Sequence, residues 1–283
     1  MSENIIVKVL VEFRLLSSIV SPPFSSKISR TLLYNILKET FDKSIINNIT
    51  YKPIILTPII DLGHPNYRFI FKTSKSEERP IILKEMGRYG FYITIITKDI
   101  PIMKIVEALT PGKRVKIFTG EAIIENCQFD IRSFESLNLQ GDKIRIEFMT
   151  PTLLSFPKGW IKVETPMRHS LFPIPCFIIW SLAEHWNTYA PKNLAIKNVK
   201  KLAAYSNYAL VELDHNIKPV TVIYDEKRRP RGFIGWTLYE HRKLRTKLST
   251  WINRLLEYAN YIGIGRSRSI GFGSVRVRVV DAK

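Results

Sequence analysis

Ile5-Ile-Val-Lys-Val-Leu-Val-Glu-Phe13 and Lys27-Ile-Ser-Arg-Thr-Leu-Leu-Tyr-Asn-Ile-Leu-Lys38 follow different hydrophobic periods. In the first, Ile5, Val7, Val9, Val11 and Phe13 share one face, and Ile6, Lys8, Leu10 and Glu12 the other. That alternation predicts a strand. Ser21-Pro-Pro-Phe-Ser-Ser26 then breaks the chain and should supply a helix N-cap. From Lys27 to Phe41, the residues Ile28, Leu32, Leu33, Ile36 and Leu37 recur at helical spacing. On the opposite side Lys27, Thr31, Tyr34 and Lys38 line up, bordered by Arg30. The helix therefore has one buried face and one face of cations and a phenol.

Working outward, strands are expected at Ile54–Ile60, Tyr67–Thr73, Ile81–Lys84 and Phe91–Thr97. A helix at Pro101–Leu109 opens on a proline. Strands follow at Val115–Gly120, Ala122–Phe134 and Lys143–Met149. The prolines and glycines of Pro151–Pro175 suggest a junction. Beyond it lie a helix at Ile174–Trp186, strands at Asn207–Asp214, Val220–Tyr224 and Gly232–Tyr239, a helix at Leu244–Tyr261 and a strand at Gly271–Val280. The reading is α+β, two tandem ferredoxin-like (RRM-like) domains over 1–150 and 151–283.

Composition narrows the function. Lys and Arg number 43 against 25 Asp and Glu, a formal charge of +18 in 283 residues. A folded chain this basic repels itself unless a polyanion compensates, which places nucleic acid first among partners. No apolar run approaches the length of a membrane span, and the acid at Glu3 and the charges at Lys8 and Glu12 do not suit a signal peptide. Membrane partners are not expected, and the expected location is the cytoplasm. Cys127 and Cys176 are far apart, and the five histidines show no ligand spacing. Neither a metal nor a cofactor is expected.

The most informative segment is Gly263-Ile-Gly-Arg-Ser-Arg-Ser-Ile-Gly-Phe-Gly-Ser-Val-Arg-Val277. Gly263, Gly265, Gly271 and Gly273 free the backbone for tight bends and close approach of a ligand. Arg266 and Arg268 add charge beside them, a mixture suited to phosphate. It is no Walker loop, lacking Gly-Lys-Ser/Thr. It is no dinucleotide fingerprint either, because Arg268 stands where a third glycine belongs and the helix comes before the loop.

This loop resembles the C-terminal glycine-rich motif of the repeat-associated RNA-binding superfamily of CRISPR proteins, and most of all its CRISPR repeat endoribonucleases. Tyr51-Lys-Pro-Ile-Ile-Leu-Thr-Pro, Phe148-Met-Thr-Pro-Thr and Gly232-Phe-Ile-Gly-Trp fit in the same order. The resemblance implies a basic cleft that holds repeat RNA. It further implies metal-independent cutting by the ribose 2′-hydroxyl, leaving a 2′,3′-cyclic phosphate and a free 5′-hydroxyl. It leaves open a homodimer and hand-over of the product to a CRISPR interference complex. The isoleucine- and lysine-rich composition suits an archaeal source.

The reaction needs a base, an acid and cations for the phosphorane. Many family members carry a histidine in or just after the first helix, but here none lies between Ser26 and Tyr51. The catalytic candidates are therefore Lys27, Tyr34, Lys52, Arg231 and Arg268. The RNA-binding candidates are Arg30, Lys38, Arg168, Arg228, Arg229, Arg266 and the four loop glycines. Lysine serves better as acid or electrostatic stabiliser than as base, and arginine grips phosphate at two points. Among the histidines, His185 is expected in packing, His64 in a turn, and His169 is the one expected nearest RNA. The alternative is a catalytically inactive member that only holds RNA in a CRISPR ribonucleoprotein.

Overall fold

The computed structural model describes residues 4–38, 54–76, 80–97, 102–157 and 168–280. Its chain separates into two compact units. One comprises 1–132, 222–229 and 269–271, and the other 133–221, 230–268 and 272–283.

In the first unit the elements run β1 (Ile5–Leu15), β2 (Ile19–Ser21), α1 (Ser26–Leu37), β3 (Ile54–Leu56), β4 (Ile60–Asp61), β5 (Arg68–Phe69), β6 (Ile81–Leu83), β7 (Arg88–Thr97), α2 (Ile102–Ala108), β8 (Arg114–Ile117) and β9 (Gly120–Ser133). Among the described residues the main sheet runs β5-β4-β7-β1-β9-β8, and β3 also pairs with β7. β1 lies antiparallel to β7, from Ile5 opposite Thr97 to Arg14 opposite Arg88. Taken as strand, helix, two strands, helix, strand, the spatial order is fourth, first, third, second, which is the ferredoxin-like arrangement. Val7, Val9, Val11 and Phe13 pack against Ile28, Leu32, Leu33 and Ile36 of α1 in one buried core. The alternation of β1 and the period of α1 thus meet face to face.

The second unit repeats this order. β10 (Lys143–Thr152) is followed by the short pair β11 (Leu154–Ser155) and β12 (His169–Ser170). Then come α3 (Pro175–Tyr189), α4 (Val199–Ala209), β13 (Leu210–Thr221), β14 (Arg231–His241), α5 (Thr246–Ile262) and β15 (Val275–Val279). Its sheet runs β13-β14-β10-β15, antiparallel at each pairing. Ile144, Ile146 and Phe148 of β10 face the core, as do Leu182 and Trp186 of α3 and Ile252, Leu255, Leu256 and Ala259 of α5. Trp186, Tyr258 and Phe134 stack edge to face or tilted, with centroids 5.0–5.6 Å apart.

Several elements differ from expectation. The strand at 143–149 was expected to close the first half, but it is the central β10 of the second sheet. Residues 207–209 end a helix, not a strand, and β13 continues unbroken to Thr221. The stripe that buries α4 is Leu202 with the small Ala203, Ser206 and Ala209, a weak hydrophobic signal, and Asn198 caps it by accepting from the Lys201 amide. The expected strand at 67–73 is reduced to Arg68–Phe69. The last strand starts at Val275, because Gly271 and Gly273 have φ of +97° and +72°. Among the described residues no helix is long and apolar enough to cross a membrane.

Candidate functional site

The cationic face of α1 is the frame of the site. Lys27 is half-buried, and Arg30, Tyr34 and Lys38 are exposed, so the stripe read from the sequence stands on one surface. The helix start is built differently from the expected cap. Ser25 occupies the N-cap position but makes no side-chain cap bond. Its hydroxyl donates to the Ile70 carbonyl and accepts from the Ile59 amide. Ser26 Oγ donates to the Ile270 carbonyl at 2.7 Å, and Ser29 Oγ to the Thr57 carbonyl at 2.7 Å. All three serines are buried. Their hydroxyls fasten α1 to three other chain segments, which fixes where its outer face points.

Two segments from late in the sequence complete the surroundings of α1. Residues 222–229 enter the first unit through a bridge between Thr73 and Val222. Tyr224 packs on Phe24 with centroids 5.6 Å apart. Lys27 Nζ lies 5.3 Å from the Tyr224 ring centre, and the Arg228 guanidinium 4.5 Å from it. The ring attracts both cations through its negative face and gathers them beside the start of α1. Arg228 is also held by Asp225, whose Oδ2 accepts from its Nε at 2.7 Å. Asp225 Oδ1 accepts from the amides of Lys227 and Arg228. The guanidinium keeps the Asp225 carboxyl below its ordinary range, and Asp225 raises Arg228 in turn. Arg228 therefore shapes the turn as well as charging it, while Arg229 is exposed.

The other late segment is the tip of the glycine loop. Gly271 lies against α1, where a Cβ would meet Ser26 Cβ at 2.7 Å and Phe24 Cε1 at 3.1 Å. Gly273 is closed in the same way by the Ile264 carbonyl of its own loop, Gly263 by the Gly273 carbonyl and Gly265 by the Leu153 carbonyl. The tight bends expected of the four glycines are present, and protein atoms fill the space that a side chain would take at each. Their missing Cβ atoms let protein backbone approach protein.

The remaining candidates lie in the second unit or outside the described residues. Arg231 opens β14 and is exposed. Arg266 is exposed, with its amide bonded to the Leu153 carbonyl. His169 sits nearby, 3.3 Å from Ser155 Oγ. Burial, and then the charge of Arg266, hold its imidazole below the ordinary histidine range. Arg168 lies over the ring of Phe156 at 5.5 Å. Lys52 lies outside the described residues.

Arg268 departs from expectation. Its Nη1 is enclosed and has no hydrogen-bond partner among the described residues. Burial brings its guanidinium down to about 10, opposed by Tyr258, Tyr189 and Glu184. Part of the residue remains at the surface, but the charged end is directed inward, which corrects its assignment as a phosphate grip. The neighbouring His185 bonds Tyr258 Oη at 2.8 Å and is pushed down to about 2, first by burial and then by Arg268. His64 accepts from the Asn66 amide in an exposed turn. All five histidines fall among the described residues, and none is on α1. Tyr224 was missed in the sequence. Its only signal was an aromatic three residues before a basic run.

Two ferredoxin-like units, a cationic helix face and an arginine-bearing loop define a protein built to handle nucleic acid. Residues 7–132 match the Cas6 N-terminal domain, and residues 146–275 match the CRISPR-associated endoribonuclease Cas6. The chain belongs to the Cas6 family and is an endoribonuclease that processes CRISPR repeat RNA. Two relatives from Saccharolobus solfataricus, named CRISPR-associated endoribonuclease Cas6 2 and Cas6 1, are each 25% identical to it. They cover 93% and 94% of this chain and 92% and 93% of their own lengths. A solved Cas6 product complex superposes with a TM-score of 0.70 at 18% identity, over 96% of this chain and 99% of its own, a likeness of fold.

Proposed function

We propose that the protein cuts precursor CRISPR RNA within its repeats by attack of the ribose 2′-hydroxyl on the adjacent phosphorus, with no metal ion taking part. The 2′-hydroxyl gives up its proton to a base as the 2′-O–P bond forms, and the bond to the 5′-oxygen breaks. The departing oxygen takes up a proton, and the products carry a 2′,3′-cyclic phosphate and a 5′-hydroxyl.

The observation that carries this reading is the placement of Lys27. It stands at the start of an exposed cationic stripe, beside Tyr224, on a helix end fastened by three buried serine hydroxyls. A lysine held there can stabilise the phosphorane or protonate the 5′-oxygen. Tyr34, 45% exposed on the same face, can donate to the same phosphate. In this reading Arg30, Lys38 and Arg229 hold the RNA backbone, with Arg168 and Arg266 as its contacts on the second unit. Lys52 and Arg231 are kept as charge stabilisers, whereas Arg268 is a positioning residue beneath the loop. In-line positioning supplies much of the acceleration.

The test is incubation with repeat RNA in excess EDTA, alongside the same RNA with hydrogen in place of the 2′-hydroxyl at the cut site. One cut that persists in EDTA and vanishes with the deoxy substrate supports the mechanism. Loss of cutting in EDTA that divalent metal restores defeats it. The absence of a histidine from α1 favours a second reading, an RNA-holding protein that does not cut. Tight, salt-sensitive binding of repeat RNA without any cut would establish that one.

A further inference from the structure

The outer face of the second unit's sheet carries an arrangement of a different kind. Along β10 the buried Ile144, Ile146 and Phe148 alternate with Arg145 and Glu147. Along β15 the buried Val275 and Val277 alternate with Arg276 and Arg278. Trp236 of β14 stands opposite Glu147. Since successive side chains point to opposite faces, Arg145, Glu147, Arg276, Arg278 and Trp236 share the face turned away from the core.

Their geometry is specific. Arg145 stacks on Trp236, its guanidinium carbon 3.8 Å from the ring centre. Glu147 Oε1 accepts from Arg145 Nε at 3.0 Å and from Arg278 Nη2 at 2.8 Å. Arg276 Nη1 lies 3.9 Å from its Oε2. Arg145 and Arg278 are direct cross-strand partners. Like charges so placed oppose folding, and one carboxylate serves three arginines. The face keeps a surplus of two positive charges, and the Arg276 and Arg278 side chains remain 58% and 54% exposed. A cluster meant only to hold the sheet would balance its charges.

We propose that this face is a second RNA contact that takes unpaired nucleotides of the substrate, an inference that rests on the protein acting on RNA. Arg276 and Arg278 meet backbone phosphates. A base stacks on Trp236, either replacing the Arg145 guanidinium or sandwiching it. Glu147 holds the arginines in place while the face is empty. Unpaired RNA is favoured over duplex because a ring on an open sheet needs a splayed base, which an A-form helix does not offer.

The test is fluorescence anisotropy with a labelled unstructured RNA, an RNA duplex and an oligoglutamate peptide. The intact protein is compared with R276A/R278A, W236A and W236F. The double variant changes two exposed side chains and should fold. It should bind unstructured RNA about tenfold more weakly, with the salt slope lowered by about 1.4. W236A should lose about tenfold, and W236F should keep most of the affinity. Crosslinking of 4-thiouridine RNA should label peptides of β10, β14 or β15. Unchanged RNA affinity in both R276A/R278A and W236A, or a face that takes the peptide or duplex in preference, overturns the proposal. Failure of the intact protein to bind any RNA would instead overturn the functional reading on which it rests.

Discussion

Ser26 Oγ donates a 2.7 Å hydrogen bond to the carbonyl of Ile270, a residue 244 positions later in the chain. One end of this bond is the first turn of the catalytic-candidate helix, and the other is the tip of the glycine loop. Removing it with S26A should cost about 1 kcal/mol, read as a shift in the urea midpoint. G271A should cost more. Its new methyl would meet Ser26 Cβ at 2.7 Å and Pro58 Cδ at 3.1 Å, in a backbone conformation with φ +97°. Repeat cleavage by G271A should fall by a larger factor than its binding of repeat RNA, because the helix face is displaced relative to the scissile phosphate. Equal stability of G271A and the parent protein would show that the loop adapts.

Lys27 should matter to the chemical step more than to binding. K27A should lower the single-turnover rate of repeat cleavage by about a hundredfold, with a change of less than about threefold in RNA affinity. Y224A should produce a smaller loss in the same direction, since it removes the ring beside which Lys27 is held. A K27A rate within about threefold of the parent would move the catalytic role elsewhere.

Acid should destabilise the fold through its buried imidazoles. His185 is pushed down to about 2 and His241 is lowered as well, in both cases chiefly by burial. Each binds a proton more readily in the unfolded chain, so stability falls as pH drops below about 6.5. For His185 this loss continues toward pH 2, with a limiting slope of about 1.4 kcal/mol per pH unit. Urea midpoints at pH 7 and pH 5 should therefore differ, and the difference should shrink in H185Q. That variant can keep a hydrogen bond to Tyr258 without taking up the proton.

Neither thiol should react readily in the folded protein. Burial, followed by the charge of Glu12, pushes Cys127 up to about 12. Burial also raises Cys176. Disulfide-reagent titration at pH 8 should detect far fewer than two thiols in the native protein and both in urea. Rapid native reaction at Cys127 would mean that β9 opens readily.

Much of the architecture is legible in the sequence. The alternation of β1 and the apolar period of α1 depend on large aliphatic side chains, and these carry strong local signals. α4 was missed because Ala203, Ser206 and Ala209 bury a helix face with little hydrophobic mass. The cationic stripe of α1 could be read from helical spacing alone. The inward turn of Arg268 could not, because charge in a loop normally marks surface, and the groups that act on its guanidinium, Tyr258, Tyr189 and Glu184, lie far from it in sequence. Glycine content correctly marked tight backbone, yet spacing could not say whether a ligand or the protein itself would fill the space. The Arg145–Trp236 stack needed the strand register, which only pairing across the sheet establishes.

The first compact unit includes residues 222–229 and 269–271. On a ribosome, then, the N-terminal half cannot finish when its own strands have emerged. Tyr224 must still arrive to cover Phe24, and Ile270 to receive the Ser26 hydroxyl. At about 5–20 residues per second, the nascent unit waits several seconds or longer with that apolar edge uncovered. The helix face reaches its final support only after residue 270 has been made, so a chain abandoned earlier would not release an assembled cationic face.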